Sequence, residues 1–219
     1  EGIGNKKTIV CGDLRFDAEI PKLTKKASDN ITKFIDHKRC IVFGSTWRED
    51  EDIILPYINN SKRNIKYIIA PHEIYNNAER IKKYLGDKSI LYSNIRLNTN
   101  LKKFSCLVID NIGMLSSIYD YSLISYVGGG MSRKGLHNTL EPAYFSKPII
   151  IGKNYHKFDE AKEMIKNGNM ISISNYNEFH KTFESLIDNQ SSLLKMSKKC
   201  KEYFNKKKGA VDLILNDLK

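Results

Sequence analysis

Three glycines, Gly128, Gly129 and Gly130, follow the apolar run Ile124 to Val127 and precede a polar loop carrying Arg133, Lys134 and His137. Asn138-Thr139-Leu140-Glu141-Pro142 comes next. Asn-x-x-Glu at a helix start is a capping box, so the spacing predicts a helix beginning at Asn138. A strand, a glycine loop and a helix start in succession offer backbone N–H groups to anions and polar side chains to sugar hydroxyls. The same residues also fit a plain tight turn leading into a capped helix. Two phosphate-binding patterns are excluded. Gly128-x-Gly130-x-x-Arg133 lacks the third glycine of the dinucleotide fingerprint, and Lys134 is followed by Gly135 rather than Ser or Thr.

The elements that must hold this loop can be read along the chain. Short apolar runs predict strands over Thr8–Cys11, Cys40–Phe43, Tyr67–Ala70, Ser89–Tyr92, Cys106–Ile109, Ile124–Val127, Pro148–Ile151 and Met170–Ile173. Helical spacing falls between them, over Lys25–His37, about Glu49–Asn59, Asn76–Leu85 and Phe158–Lys166, and a mostly helical tail runs on from about Asn175. Strands alternating with helices predict an α/β fold, a Rossmann-like parallel sheet with helices on both faces. Such sheets bind ligands at the carboxyl ends of their strands. Gly12-Asp13, Gly44-Ser45, Pro71-His72, Gly113 and Gly128 to Gly130 all follow strands and would converge at that edge.

Composition narrows the function classes. The 219 residues suit one large domain or two small ones and carry a formal net charge of +11. Anionic lipid, a phosphorylated substrate or nucleic acid would each suit that charge; so would a Lys- and Asn-rich composition with no charged partner. The densest basic segment, Lys195 to Lys208, lacks the interleaved aromatics of a single-strand binder, and no nucleic-acid partner is expected. No apolar run approaches the ~20 residues of a membrane span, and no signal peptide is visible. Cys11, Cys40, Cys106 and Cys200 form no C-x-x-C pair, which predicts reduced, buried thiols rather than a zinc site. With no Asp-x-Asp near the glycine loop, no metal or other cofactor is expected. The chain begins at Glu1, a few residues before a predicted strand, and reads as a segment with an upstream part missing.

Taken in order, several segments resemble the second half of the Kdo transferases, the 3-deoxy-D-manno-octulosonate transferases of lipopolysaccharide synthesis. They are Gly12-Asp-Leu-Arg-Phe-Asp17, Gly44-Ser-Thr-Trp47 with the acidic run to Asp52, Pro71-His72, Asp110-Asn-Ile-Gly-Met-Leu115, Gly128 to Pro142, and Gly152-Lys-Asn-Tyr-His-Lys-Phe158. The resemblance runs over nearly the whole chain, and His-Asn-x-Leu-Glu-Pro after a glycine loop is its most specific part. It implies the carboxyl-terminal half of a two-domain GT-B glycosyltransferase, residues 1–219 being a domain that binds the donor CMP-Kdo. The acceptor, a lipid A precursor, and the catalytic base would belong to an amino-terminal domain absent from this chain, so the chain alone would be inactive. The whole enzyme would be an inverting transferase on the cytoplasmic face of the bacterial inner membrane, near an anionic lipid surface.

The resemblance also implies a site. Pro71 and His72 match one CMP-contacting segment, Gly113, Met114 and Leu115 a second, and Asn138, Thr139, Leu140 and Glu141 a third. Met114 stands where the family often has Glu. Arg15 matches a basic residue that stabilises the transition state. Each has a plainer alternative: an ion pair of Arg15 with Asp13 or Asp17, a helix-start position for His72, a capping role for Glu141. Ser45 and Thr46 are read as caps of the following helix, Trp47 as packing, and His137 is assigned no role. A GT-B transferase using another nucleotide sugar and a non-enzymatic polyanion-binding domain are the two other readings of the chain.

Overall fold

A computed structural model describes residues 10–18 and 28–218. Seven strands form one parallel sheet: β1 (Cys40–Thr46), β2 (Lys66–Pro71), β3 (Ser89–Leu91), β4 (Cys106–Val108), β5 (Ile124–Val127), β6 (Ile149–Gly152) and β7 (Met170–Ile173). Their order across the sheet is β3-β4-β2-β1-β5-β6-β7, and every neighbouring pair is parallel. The helices are α1 (Arg15–Ala18), α2 (Asp29–Ile35), α3 (Arg48–Asn60), α4 (Asn77–Leu85), α5 (Leu115–Ile118), α6 (Leu140–Tyr144), α7 (Asp159–Asn167), α8 (Tyr176–Asp188), α9 (Gln190–Lys207) and α10 (Ala210–Asp217).

The strands are apolar on both faces because helices cover both. Along β1, Cys40 and Val42 face one core with Ile31, Phe34, Leu140, Ala143 and Met164. Ile41 and Phe43 face the other, with Ile54, Ile58, Ile81, Phe179 and Phe183. This period-two alternation puts α2, α6 and α7 on one face and α3, α4 and α8 on the opposite one. The helical tail wraps the β7 edge: Leu193 and Met196 of α9 belong to the second core, while Cys200, Tyr203 and Phe204 belong to the first. Phe43 is the aromatic hub of the second core, with Tyr67, Tyr126, Phe179 and Phe183 at ring-centroid distances of 5.7–6.4 Å.

Strand order fixes where a ligand can enter. The chain leaves β1 towards β2 and α3 on one face, and leaves β5 towards α6 on the other. The loops after β1 and β5 therefore part where the order reverses, and the crevice of such a sheet lies there. Three differences from the sequence reading stand out. Thr8 and Ile9 lie outside the described residues, and Val10 and Cys11 are not in a strand. Lys25 to Ala27 also lie outside them, and the helix there spans Asp29–Ile35. The helix expected at Asn138 begins at Leu140, with Thr139 as its N-cap residue.

Candidate functional site

The glycine turn is built for close backbone approach. Val127 ends β5 beside Gly44 of β1, and a Cβ on Gly128 would overlap the Ser45 carbonyl. Gly129 sits at φ +91°, in the left-handed region, with the Gly135 carbonyl where a side chain would be. Gly130 lies against the backbone of Gly152 at the end of β6. These contacts join one strand end to the next, so the glycines serve the fold directly. On the other side of β1, Gly44 leaves room for Tyr119, whose hydroxyl would overlap any Cβ there.

Asp50, wholly buried, locks the turn in place. Its Oδ2 accepts from the backbone N–H of Gly129 (2.8 Å) and of Trp47 (2.9 Å), and its Oδ1 accepts from the Tyr126 hydroxyl (2.7 Å). Burial pushes this carboxyl up, and the N–H groups of Gly129, Trp47 and Met131 with the Tyr126 hydroxyl pull it back. Thr46 Oγ1 donates to Glu51 Oε1 (2.9 Å), and Glu51 pairs with Arg80. Thr46 and Ser45 thus do not cap α3: its N-cap residue is Trp47, and Ser45 occupies the left-handed region at φ +51°.

Trp47 stands at the rim of the crevice rather than in either core. Its ring centroid lies 4.7 Å from that of His72 and 6.0 Å from that of His137, and the two imidazoles stack at 4.0 Å. Trp47 Nε1 donates to His137 Nε2 at 2.6 Å. Lys134 Nζ sits 3.6 Å from the indole centroid, a cation–π contact. Burial and the neighbouring His72 push His137 down to about 4. Nothing local in the sequence marks this cluster. Its one advance signal was that Trp47 and His137 each follow a strand-end motif.

Two cavities flank the wall formed by Trp47, His137 and Lys134. One, of about 330 Å³, is lined by Arg15, His137, Asn138, Leu140, Phe158 and Glu160. The other, of about 730 Å³, is lined by Arg133, Lys134 and Lys153 with Glu49, beside the glycine turn. Arg15 is engaged by carboxylates, its Nη2 and Nε on Asp13 (2.7 and 3.0 Å) and its Nη1 on Glu160 (2.9 Å). The ion pair with Asp13 considered from the sequence is therefore present, Glu160 is an additional partner, and Asp17 instead caps α10 through the N–H groups of Gly209 and Val211. Both carboxylates raise the guanidinium pKa, and Arg15 holds Asp13 below its usual range.

The other residues singled out from the sequence are placed as follows. Arg15, Asn138 and Leu140 share the smaller cavity. Asn138 Oδ1 accepts from Leu140 N–H (3.0 Å), and its Nδ2 reaches Glu141 Oε1 at 3.5 Å, so the reciprocal capping box does not form in the expected register. Glu141 and Leu115 both neighbour Tyr119, one by charge and the other by packing. His72 is exposed and joins the ring stack, and its N–H donates to the Thr46 carbonyl. Gly113, at φ +89°, and Met114 lie at the rim beyond β4. Pro71 and Thr139 are buried. Among the described residues the Thr139 hydroxyl has no hydrogen-bond partner. Among the described residues no group of three or more His, Cys, Asp or Glu side chains has the geometry of a metal site.

No family model matches the chain. It is 31% identical over 198 residues to the 3-deoxy-D-manno-octulosonic acid transferase of Rickettsia typhi, covering 87% of this chain and 42% of that protein. It is 27% identical over 204 residues to the transferase of the same name from Aquifex aeolicus, covering 90% and 51%. The matched part thus spans 42% and 51% of the length of these two relatives. Among solved structures, the C-terminal CMP-Kdo binding domain of WaaA from Acinetobacter baumannii superposes with a TM-score of 0.66 at 18% identity, over 87% of this chain and 98% of that one. Staphylococcus aureus MnaA with UDP gives 0.60 at 16% identity, over 90% of this chain and half of that one. The sequence match and the seven-stranded GT-B-type sheet agree: this chain belongs to the 3-deoxy-D-manno-octulosonic acid transferase family, as a segment with the fold of its carboxyl-terminal domain.

Proposed function

We propose that this chain is the donor-binding domain of a Kdo transferase and takes CMP-Kdo at the crevice between the loops after β1 and β5. The observation that carries the reading is the cavity beside that crevice, where Arg15 of α1 and Glu160 of α7 meet His137 and Asn138 of the loop after β5. The names of the relatives and of the Acinetobacter domain support the choice of donor. In this reading His72, Gly113, Met114, Leu115, Asn138, Leu140 and Glu141 surround the nucleotide, and Pro71 and Thr139 shape the backbone beside it.

Transfer breaks the bond between the anomeric carbon of Kdo and the CMP phosphate. Negative charge grows on that phosphate, and positive groups fixed beside it lower the barrier. Arg15 meets this need, because a guanidinium stays charged and binds phosphate in a fork. The basic pocket of Arg133, Lys134 and Lys153 adds a field that favours an anionic sugar acid. The acceptor, a lipid A precursor, and the base that activates it belong to the rest of the transferase. Reaction with inversion at the cytoplasmic face of the inner membrane completes the reading, and the 219 residues alone bind donor without transferring sugar. No helix among the described residues is long and apolar enough to cross a membrane; the basic face of α9 offers electrostatic attraction to anionic lipid instead.

Calorimetric titration of this chain with CMP, UDP and heparin tests the proposal. Saturable binding that prefers CMP and survives excess chelator is expected. A preference for UDP would point to another nucleotide sugar. Heparin binding with a steep salt slope and no CMP preference would leave only a polyanion-binding domain.

A further inference from the structure

The bond between Trp47 Nε1 and His137 Nε2, at 2.6 Å, fixes a proton. An indole N–H only donates, so Nε2 of His137 supplies the lone pair and the neutral ring carries its hydrogen on Nδ1. The residue is held on several sides: its imidazole stacks on His72 at 4.0 Å and lies within 13° of parallel to Trp47, and its backbone N–H donates to the Gly128 carbonyl at 3.1 Å. Among the described residues Nδ1 has no protein acceptor. The ring lines the same cavity as Arg15 and Asn138.

We propose that His137 is a ligand-contacting residue, donating from Nδ1 to an oxygen of the donor's phosphate, and that Trp47 is the positioning residue that sets its tautomer. The inference rests on the donor-site reading above and names a contact within it. Its physical motive is the state of Arg15, whose charge is shared with Asp13 and Glu160 before any ligand arrives. A neutral N–H donor beside it adds a directed bond without a second cation to desolvate. The donor is in place at pH 7, because burial and His72 hold His137 down to about 4. The bond is an interaction only; no proton is transferred to the phosphate.

Nitrogen-detected NMR of this chain with labelled histidine reads the tautomer directly, and titrations with CMP and with cytidine read the contact. The wild type is expected to show a neutral His137 protonated at Nδ1, with a resonance that moves on adding CMP. His137→Phe keeps an aromatic ring in the stack and should lose about tenfold or more in CMP affinity, with cytidine affinity unchanged. Trp47→Phe keeps a ring under Lys134 but removes the Nε1 donor. It should yield mixed tautomers and a severalfold loss of CMP affinity at an unchanged melting temperature. His137→Asn, which restores a donor near Nδ1, should recover part of the loss. A wild-type ring protonated at Nε2 would overturn the proposal, as would a His137→Phe variant that binds CMP as tightly as wild type. A wild type that binds no CMP would instead remove the donor-site reading and this contact with it.

Discussion

Asp50 Oδ2 accepts the backbone N–H of Gly129 at 2.8 Å, tying the first turn of α3 to the turn after β5. The two residues are 79 positions apart, and the bond spans the place where the two loops diverge. With the Trp47 N–H on the same oxygen, one carboxylate shapes both walls of the crevice. Asp50→Asn can keep an oxygen for the two backbone N–H groups, but it turns its amide towards the Tyr126 hydroxyl, which must then accept instead of donate, and the charge assistance is lost. We expect a loss of about 1–3 kcal/mol in stability, read by urea denaturation, with weaker CMP binding in the folded fraction. Full stability in the Asn variant would show that the turn holds its shape unaided.

The carboxylates on Arg15 compete with any phosphate that approaches it. Glu160→Gln removes one competitor, and CMP affinity should rise by a few fold in low salt. Arg15→Ala, made in the whole transferase containing this segment, should lower turnover at saturating donor by on the order of a hundredfold, with CMP affinity changed far less. An unchanged rate would leave Arg15 as a structural partner of Asp13 and Glu160.

Glu141 lies at the first turn of α6, next to Asn138, and its charge acts on the buried Tyr119 hydroxyl. As a ribose ligand its carboxylate accepts from two adjacent hydroxyls, which an amide oxygen does less well. Glu141→Gln should keep the melting temperature and weaken CMP binding about ten- to a hundredfold. Melting that falls in step with affinity would restore the capping role.

His137 also predicts a pH dependence. Its folded pKa of about 4 lies below the usual value of 6.5, so the unfolded chain binds more protons between them. The stability it contributes is full above pH 6.5 and is lost as pH falls through 4. Solvent screening of the partly exposed ring reduces the effect to about 1–2 kcal/mol. Subtracting the stability profile of His137→Phe from that of wild type over pH 4–7 should give a difference that falls towards acid. A flat difference would mean that the imidazole titrates normally in the folded chain.

Local pattern determined much of this protein. Unbroken apolar runs such as Cys40 to Phe43 and Ile149 to Ile151 specify strands buried on both faces, and helical spacing between them specifies a parallel sheet. The motifs that follow the strands then share one edge, whatever the strand order. The order itself was not legible: apolar alternation says which face a side chain takes, not which strand lies beside which. The order β3-β4-β2-β1-β5-β6-β7 is settled by how the helices pack over both faces at once. Only that order brings Trp47 to His137 across 90 residues and Arg15 to Glu160 across 145, and converts separate motifs into one crevice. The helix start at Leu140 instead of Asn138 has the same kind of cause. The Asn138 side chain folds onto the Leu140 N–H, and His137 is held back by its bonds to Gly128 and Trp47, so the chain cannot enter the helix sooner.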